Sequence, residues 1–226
     1  MVNVATEINR VSSSAAIDLH YESIREERSY LGLSQAGHKC PRFLWYVHNN
    51  FKQLPINGRV LRLFEMGNII EQLMFDDFAR AGFTIRDAQK EVSFHDDDIK
   101  LVGHTDGVIS GLLESNQDHL WECKSMNDKG FKKLLKHGYE ANSEIYKFQV
   151  HAYALALGLK KIFVSVYNKN DSTLYQERID LNTEWIVQKL QDVFWAIKQK
   201  TEPPRKCPRV DWWEVRFCNY RKECMG

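Results

Sequence analysis

Asp106 and, one short strand later, Glu122-Cys123-Lys124 are the residues of this chain whose types and spacing could do chemistry. They stand in the stretches Gly103-His104-Thr105-Asp106-Gly107 and His119-Leu120-Trp121-Glu122-Cys123-Lys124-Ser125. Side chains alternate faces along a strand, so Glu122 and Lys124 share one face, and Trp121 and Cys123 share the other. Two carboxylates and a lysine on converging strands can hold a divalent cation and activate water beside it, the equipment for cutting a phosphodiester bond. Hard oxygen ligands suit Mg2+ or Mn2+. Asp106 and Glu122 would be the direct ligands, with the Cys123 backbone carbonyl as a third. Lys124 would orient the attacking water or stabilise developing charge. A lone match of this kind often arises by chance, as a turn aspartate and an exposed strand pair, so the elements around it decide.

Two helical patterns bring further candidates. The spacing of Leu61, Phe64, Ile69, Leu73 and Phe78 predicts an amphipathic helix from Val60 to Ala81, stopped by Gly82. It carries Asn68 and Glu71, three apart and on one face. A second helix over Ser143–Leu157 carries Gln149 and Tyr153, four apart, where they could meet phosphate, base or water. Strands are expected at Ala88–Phe94, Lys100–Ile109, His119–Lys124, Ile162–Tyr167 and Thr173–Ile179, the last two joined by a turn at Asn168–Ser172. Other helices are expected at Ile17–Tyr30, Lys129–His137 and Asn182–Lys200, and Ser34 is expected to be a helix N-cap. The order implies one mixed α/β domain. An N-terminal helical segment (1–59) and a Cys-bearing tail (201–226), packing back on it, would flank a core at 60–200.

Composition narrows the partners. The formal net charge is +1 over 226 residues, so a polyanion must be met by a local patch. Lys129, Lys132, Lys133 and Lys136, with His137, offer one: a basic helix that would bind phosphates without sequence preference. Asn127, Asn168 and Lys169 are candidates for the same channel. The absence of a long apolar run and of a basic-then-apolar start leads us to expect no membrane segment and an intracellular location. No Walker loop is present, which argues against ATP hydrolysis, and Gly32-Leu33-Ser34-Gln35-Ala36 is a poor nucleophile elbow. Five cysteines in a reducing compartment would be thiols or metal ligands rather than disulfides.

The order Gly67…Glu71, Gly103-His104-Thr105-Asp106-Gly107, Glu122-Cys123-Lys124 and Gln149-Val150-His151-Ala152-Tyr153 resembles the RecB-type branch of the PD-(D/E)xK nucleases. Small phage-encoded members and the CRISPR-associated RecB-like exonucleases are the most similar, over roughly residues 31–226. The resemblance implies a restriction-endonuclease-like core and Mg2+- or Mn2+-dependent cleavage of DNA, by an exonuclease in recombination, repair or processing. DNA, as single strands or duplex ends, would be the partner, with recombination or processing proteins beside it. The cytoplasm of a bacterial host would be the compartment. Asp106 and Glu122 become metal ligands, Lys124 the catalytic lysine, and Gln149 and Tyr153 a supporting pair. Where many relatives carry a metal-binding His, this chain has Asn68, which puts metal preference and rate in question and makes Glu71 the substitute ligand. A catalytically weak DNA-end-binding accessory protein on the same fold is the alternative, and an RNA-directed nuclease a third.

The resemblance also bears on the cysteines. Some relatives bind a [4Fe–4S] cluster with one Cys before the core and three after, which here implies Cys40, Cys207, Cys218 and Cys224. Val215 occupies the usual position three residues before Cys218, so Cys207 would serve instead. Zinc on the same thiolates, or ordinary buried thiols, are the other readings.

Overall fold

The computed structural model describes residues 12–24, 30–113 and 115–226. Helices α1 (Ser13–Ser23), α2 (Leu33–Ala36), α3 (Pro41–His48) and the long α4 (Gly58–Arg80) come first. Strands β1 (Thr84–Arg86), β2 (Lys90–Asp96), β3 (Ile99–Thr105), β4 (Gly107–Ser110) and β5 (His119–Met126) follow. Then come α5 (Asp128–His137), α6 (Tyr139–Asn142), α7 (Glu144–Ala156), β6 (Lys161–Asn168), β7 (Leu174–Asp180), α8 (Thr183–Ile197), a 3-10 turn at Trp213–Phe217 and α9 (Arg221–Met225).

Five strands form one mixed sheet in the order β1-β4-β5-β6-β7, and β2 and β3 pair apart from it as a hairpin. Only β5 and β6 run parallel, Glu122 opposite Val164 and Lys124 opposite Val166. A parallel pair needs a long crossover, here made by α5, α6 and α7. Side-chain caps start α5 and α7: Asn127 accepts the Gly130 N–H at 2.9 Å, and the Ser143 hydroxyl accepts the Tyr146 N–H at 3.4 Å; Asn182 caps α8 in the same way, accepting the Trp185 N–H at 3.0 Å. Gly138, at φ 78°, ends α5.

The sheet is covered on both faces. Ile70, Met74 and Phe78 of α4 pack on Trp121, Cys123 and Phe163, with the Phe78 ring edge-on to both Trp121 and Phe163 at 5.8 Å. Leu120, Ile162, Val164 and Val166 face the other way, into a core with α2, α3, α7 and α8. This is an α/β fold with a central mixed sheet flanked by helices, consistent with a PD-(D/E)xK restriction-endonuclease-like core.

Four expectations are corrected. The strand predicted over Lys100–Ile109 is two strands in two sheets, broken at Asp106. The short strand β1 was not foreseen. The buried face of α4 is Ile70, Met74 and Phe78, whereas Phe64, Ile69 and Leu73 are exposed, because the helix turns its stripe to the Trp121–Phe163 surface. The N-cap of α2 is Gly32, not Ser34, since the fully buried Leu33 pulls the helix start forward. The helix expected over Ile17–Tyr30 is present to Ser23, and residues 25–29 lie outside the described residues.

The N- and C-terminal parts meet. Arg42 Nε donates to the Pro203 carbonyl at 2.7 Å, Trp45 Nε1 to the Gln199 carbonyl at 2.9 Å, and the Leu54 N–H to the Asn219 carbonyl at 3.0 Å. Tyr220 packs against Phe43 and Tyr46, each at 5.4 Å between ring centres.

Candidate active site

Asp106 sits where the chain leaves the β2–β3 hairpin for the main sheet, and it is 7% exposed. Its Oδ2 accepts the Cys123 N–H at 2.8 Å. That N–H is free to do so because β4 accompanies β5 only to the Gly107–Trp121 pair. Glu122 is wholly buried on the α7 side, where its Oε1 accepts from the Lys124 ammonium. Its Oε2 is buried with no donor, an expensive arrangement for a carboxylate. Trp121 and Cys123 point to the opposite face, as strand alternation predicts. Asp106, Glu122 and Lys124 therefore meet.

Glu71 of α4 joins them electrostatically. Burial, then the Asp106 charge, raise its pKa, against the pull of Lys124. Burial also raises Asp106, opposed by Lys124 and the Cys123 N–H. Burial, then Asp106, push Glu122 up to about 8. Burial works against the Lys124 ammonium, yet Glu122 and Asp106 outweigh it and hold its pKa well above the ordinary lysine value. Three carboxyl groups thus share one ammonium, and they do not all ionise at neutral pH without another cation.

An open cleft of about 400 Å³ leads to the group, with Asn68, Glu71, Phe75, Gln89, Asp106 and Trp121 in its wall. The Asn68 amide donates to Glu65 Oε2 at 3.2 Å. Gln149 and Tyr153 are buried on α7, hydrogen-bonded to each other, and the Tyr153 hydroxyl lies within electrostatic reach of Glu122. Both lie on the core side of Glu122. Gly103 makes this possible: a Cβ there would stand 2.7 Å from the Tyr153 ring and hydroxyl and 3.0 Å from Leu33. Gly103→Ala is therefore expected to cost about 1–3 kcal/mol of stability, read by urea unfolding, as overpacking displaces Tyr153.

Sequence reasoning missed three neighbours. Gln89 donates to Glu71 at 2.7 Å. The buried Tyr139 hydroxyl has no hydrogen-bond partner, and burial and then Glu122 raise its pKa well above the ordinary tyrosine value. The Tyr146 ring stacks on Tyr139 and lies 5.9 Å from the Lys124 ammonium. Tyr146 precedes Gln149 and Tyr153 at helical spacing, so extending that face by one turn would have found it.

The lysines of α5 are exposed. Lys132 pairs with Asp128 at 2.7 Å, and Lys133 donates to the Asn142 carbonyl at 3.2 Å. Asn127 caps α5, and Asn168 is buried in the β6–β7 turn, accepting from Asn170 N–H at 3.1 Å. Both side chains make local hydrogen bonds. Cys40, Cys207, Cys218 and Cys224 line one cleft of about 670 Å³, with Lys133 at its edge. Burial raises the Cys218 thiol, helped by the other three. All four are free thiols. Among the described residues, no group of three or more His, Cys, Asp or Glu side chains is arranged to hold a metal ion. No helix among them is long and apolar enough to cross a membrane.

No protein-family model matches the sequence, and neither does any curated protein. Solved structures share its fold. SSO0001 is 15% identical, over 95% of this chain and 97% of that one, with a TM-score of 0.53. The alkaline exonuclease LHK-Exo from Laribacter hongkongensis is 12% identical, over 79% of this chain and 90% of that one, with a TM-score of 0.51. At such identities the likeness is one of fold.

Proposed function

We propose that the chain is a divalent-cation-dependent deoxyribonuclease, an exonuclease acting on single strands or duplex ends in recombination, repair or processing. The observation that carries this reading is the burial of Asp106 and Glu122 around Lys124, with Glu122 Oε2 left without a donor. Three carboxyl groups face one ammonium, a surplus of acid that a cation would offset once their side chains close on it, and their oxygen donors suit Mg2+ or Mn2+. The fold shared with an alkaline exonuclease supports the same class. Asp106, Glu122 and Glu71 would hold the ion, with Asn68 at the margin. The Cys123 carbonyl would join them, since in an extended strand it points the same way as the N–H that meets Asp106. The bound ion supplies charge neutralisation on the phosphate and lowers the pKa of water. Lys124 keeps its proton and donates it as a hydrogen bond to the attacking water or to the charge growing on the phosphoryl oxygens. Gln149 and Tyr153 hold the Glu122 side of the site in position. Lys129, Lys132, Lys133 and Lys136 would meet the DNA backbone.

A labelled single strand and a labelled duplex, incubated with Mg2+ or Mn2+ and with EDTA, test the proposal. Cation-dependent shortening of either supports it. DNA binding with no cleavage would instead favour an end-binding accessory protein. That reading draws on Asn68, whose amide is turned to Glu65. A ribose-substituted strand cut faster than its deoxy counterpart would redirect the assignment to RNA.

Cys40, Cys207, Cys218 and Cys224 would hold a [4Fe–4S] cluster that fastens the 201–226 tail to the 1–59 segment around the 60–200 core. Their gathering at one cleft supports this. Protein purified without oxygen is expected to be brown, to contain iron and to bleach on oxidation, with Cys207→Ser losing the colour. Colourless protein carrying stoichiometric zinc would assign the site to that metal, and metal-free protein would leave four ordinary thiols. The compartment consistent with reduced thiols is the cytoplasm.

A further inference from the structure

Phe64, Asn68, Glu71 and Phe75 follow one another on α4 at intervals of four, three and four, which puts them on one face of the helix. The last three form part of the wall of the acidic cleft. Phe64 stands one turn before Asn68 on the same face, just beyond the cleft's lining, and it is 55% exposed. The other exposed apolar residues of α4, namely Leu63, Met66, Ile69 and Leu73, are turned away by roughly 110° or more at 3.6 residues per turn. Phe64 is thus the exposed aromatic ring aligned with the carboxylates.

Gly67 lies between Phe64 and Glu71. A glycine inside a helix weakens it, and such glycines commonly admit a close neighbour. None is present here: a Cβ at Gly67 would meet nothing within 4 Å. The fold gives no packing reason for Gly67. It leaves a bare patch of helix surface between the positions of Phe64 and Glu71. An exposed ring in line with a cleft whose carboxylates would hold a divalent cation suits a planar group carrying a phosphate, the cation standing between phosphate and carboxylates.

We infer that Phe64 stacks on one unpaired base of a DNA strand, the base lying over Gly67 so that an adjoining phosphate enters the cleft at Glu71 and Asp106. Resting on the nuclease reading, this names the substrate as an unpaired strand or a frayed end. Phe64 and Glu71 are about 10 Å apart along the helix axis, so the ring holds the strand without touching the reacting atoms. Phe64 is a positioning residue. Base–aromatic stacking is sequence-tolerant, which suits an enzyme that reads no sequence.

The test uses the full chain and a short oligothymidylate bearing one fluorescent aminopurine, titrated with Ca2+ in place of Mg2+ or Mn2+, so that the cleft's carboxylates are neutralised while cutting is suppressed. Wild-type protein quenches the aminopurine. Phe64→Ala is expected to weaken single-strand binding by about tenfold and to abolish the quenching, while Phe64→Trp restores both. Gly67→Leu, which fills the bare patch with a better helix former, is expected to weaken binding similarly while its Tm stays level or rises. In cleavage assays both losses fall on KM and leave kcat near wild type. Wild-type affinity and quenching in Phe64→Ala overturn the inference, as does an equal loss on single strands and blunt duplex. If Asp106→Asn abolishes cleavage while Phe64→Ala binds normally, only the stacking assignment falls. If wild-type protein neither binds nor cuts DNA, both fall.

Discussion

Asp106→Asn and Glu122→Gln are each expected to lower cation-dependent DNA cleavage by roughly a thousandfold, the scale seen when one preorganised electrostatic partner is lost. The variants are chosen to spare the fold. The carboxamide oxygen that Asp106→Asn introduces can still accept the Cys123 N–H, which Asp106 accepts at 2.8 Å, and Glu122→Gln keeps the buried volume. What each removes is one ionisable carboxyl from a group in which three carboxyls face one ammonium. A second signature follows: without cation, each variant should unfold at a higher temperature than wild type, because crowding of like charge is relieved. Lost activity with gained stability is the mark of a site strained for function. Lys124→Met should lose cleavage comparably and forfeit the pairing with Glu122. Unchanged cutting in Asp106→Asn or in Lys124→Met would remove these residues from the chemistry.

The metal-free protein should lose stability as pH rises from about 6.5 to about 8. Glu122 titrates near 8 in the fold against an ordinary 4.5. Between those values the folded chain holds a proton that the unfolded chain has released, so stability falls as pH rises. Asp106 and Glu71 are raised too and act with the same sign. Below about 6.5 the trend is opposed. Burial lowers His38 to about 4 and also lowers His48, His119 and His151, so these groups add stability as pH climbs to their ordinary value. Above that point the carboxyl slope stands alone and amounts to about 2 kcal/mol across the window. Thermal unfolding at a series of pH values reads it directly. Mn2+ should raise the midpoint most at the alkaline end, where it no longer competes with protons. Glu122→Gln should flatten the curve and shrink the Mn2+ effect. A wild-type midpoint that does not move between pH 6.5 and pH 8 would contradict the raised Glu122 value.

Much of the site's core was legible in the sequence because it rests on local rules. Strand periodicity separates Glu122 and Lys124 from Trp121 and Cys123, and Gly82 and Gly138 mark helix ends at positive φ. Features that depend on distant parts of the chain were not legible. The stretch from Lys100 to Ile109 is expected as one strand through Asp106-Gly107; that turn-type pair marks a break, but nothing local says that the chain changes sheets there. A three-residue strand such as β1 carries too few side chains to show a period. On α4 several apolar residues compete for the buried stripe, and the sheet, not the helix, chooses Ile70, Met74 and Phe78. Gln89 and Tyr139 acquire their roles only from what folds beside them. Cys40 and Cys207 share a cleft although most of the chain separates them; spacing alone does not group them, and only the family resemblance does.

The bonds from Arg42 to Pro203 and from Leu54 to Asn219 impose an order on biosynthesis. While the ribosome is still adding residues to the β-sheet, α3 and the strand of chain that follows it have no companion for their aromatic side. They must wait, greasy and uncovered, until residue 220 has emerged and Tyr220 can close against Phe43 and Tyr46. A chain cut short after Lys200 should therefore be a stronger client for chaperones that hold exposed apolar surface than one that includes Tyr220.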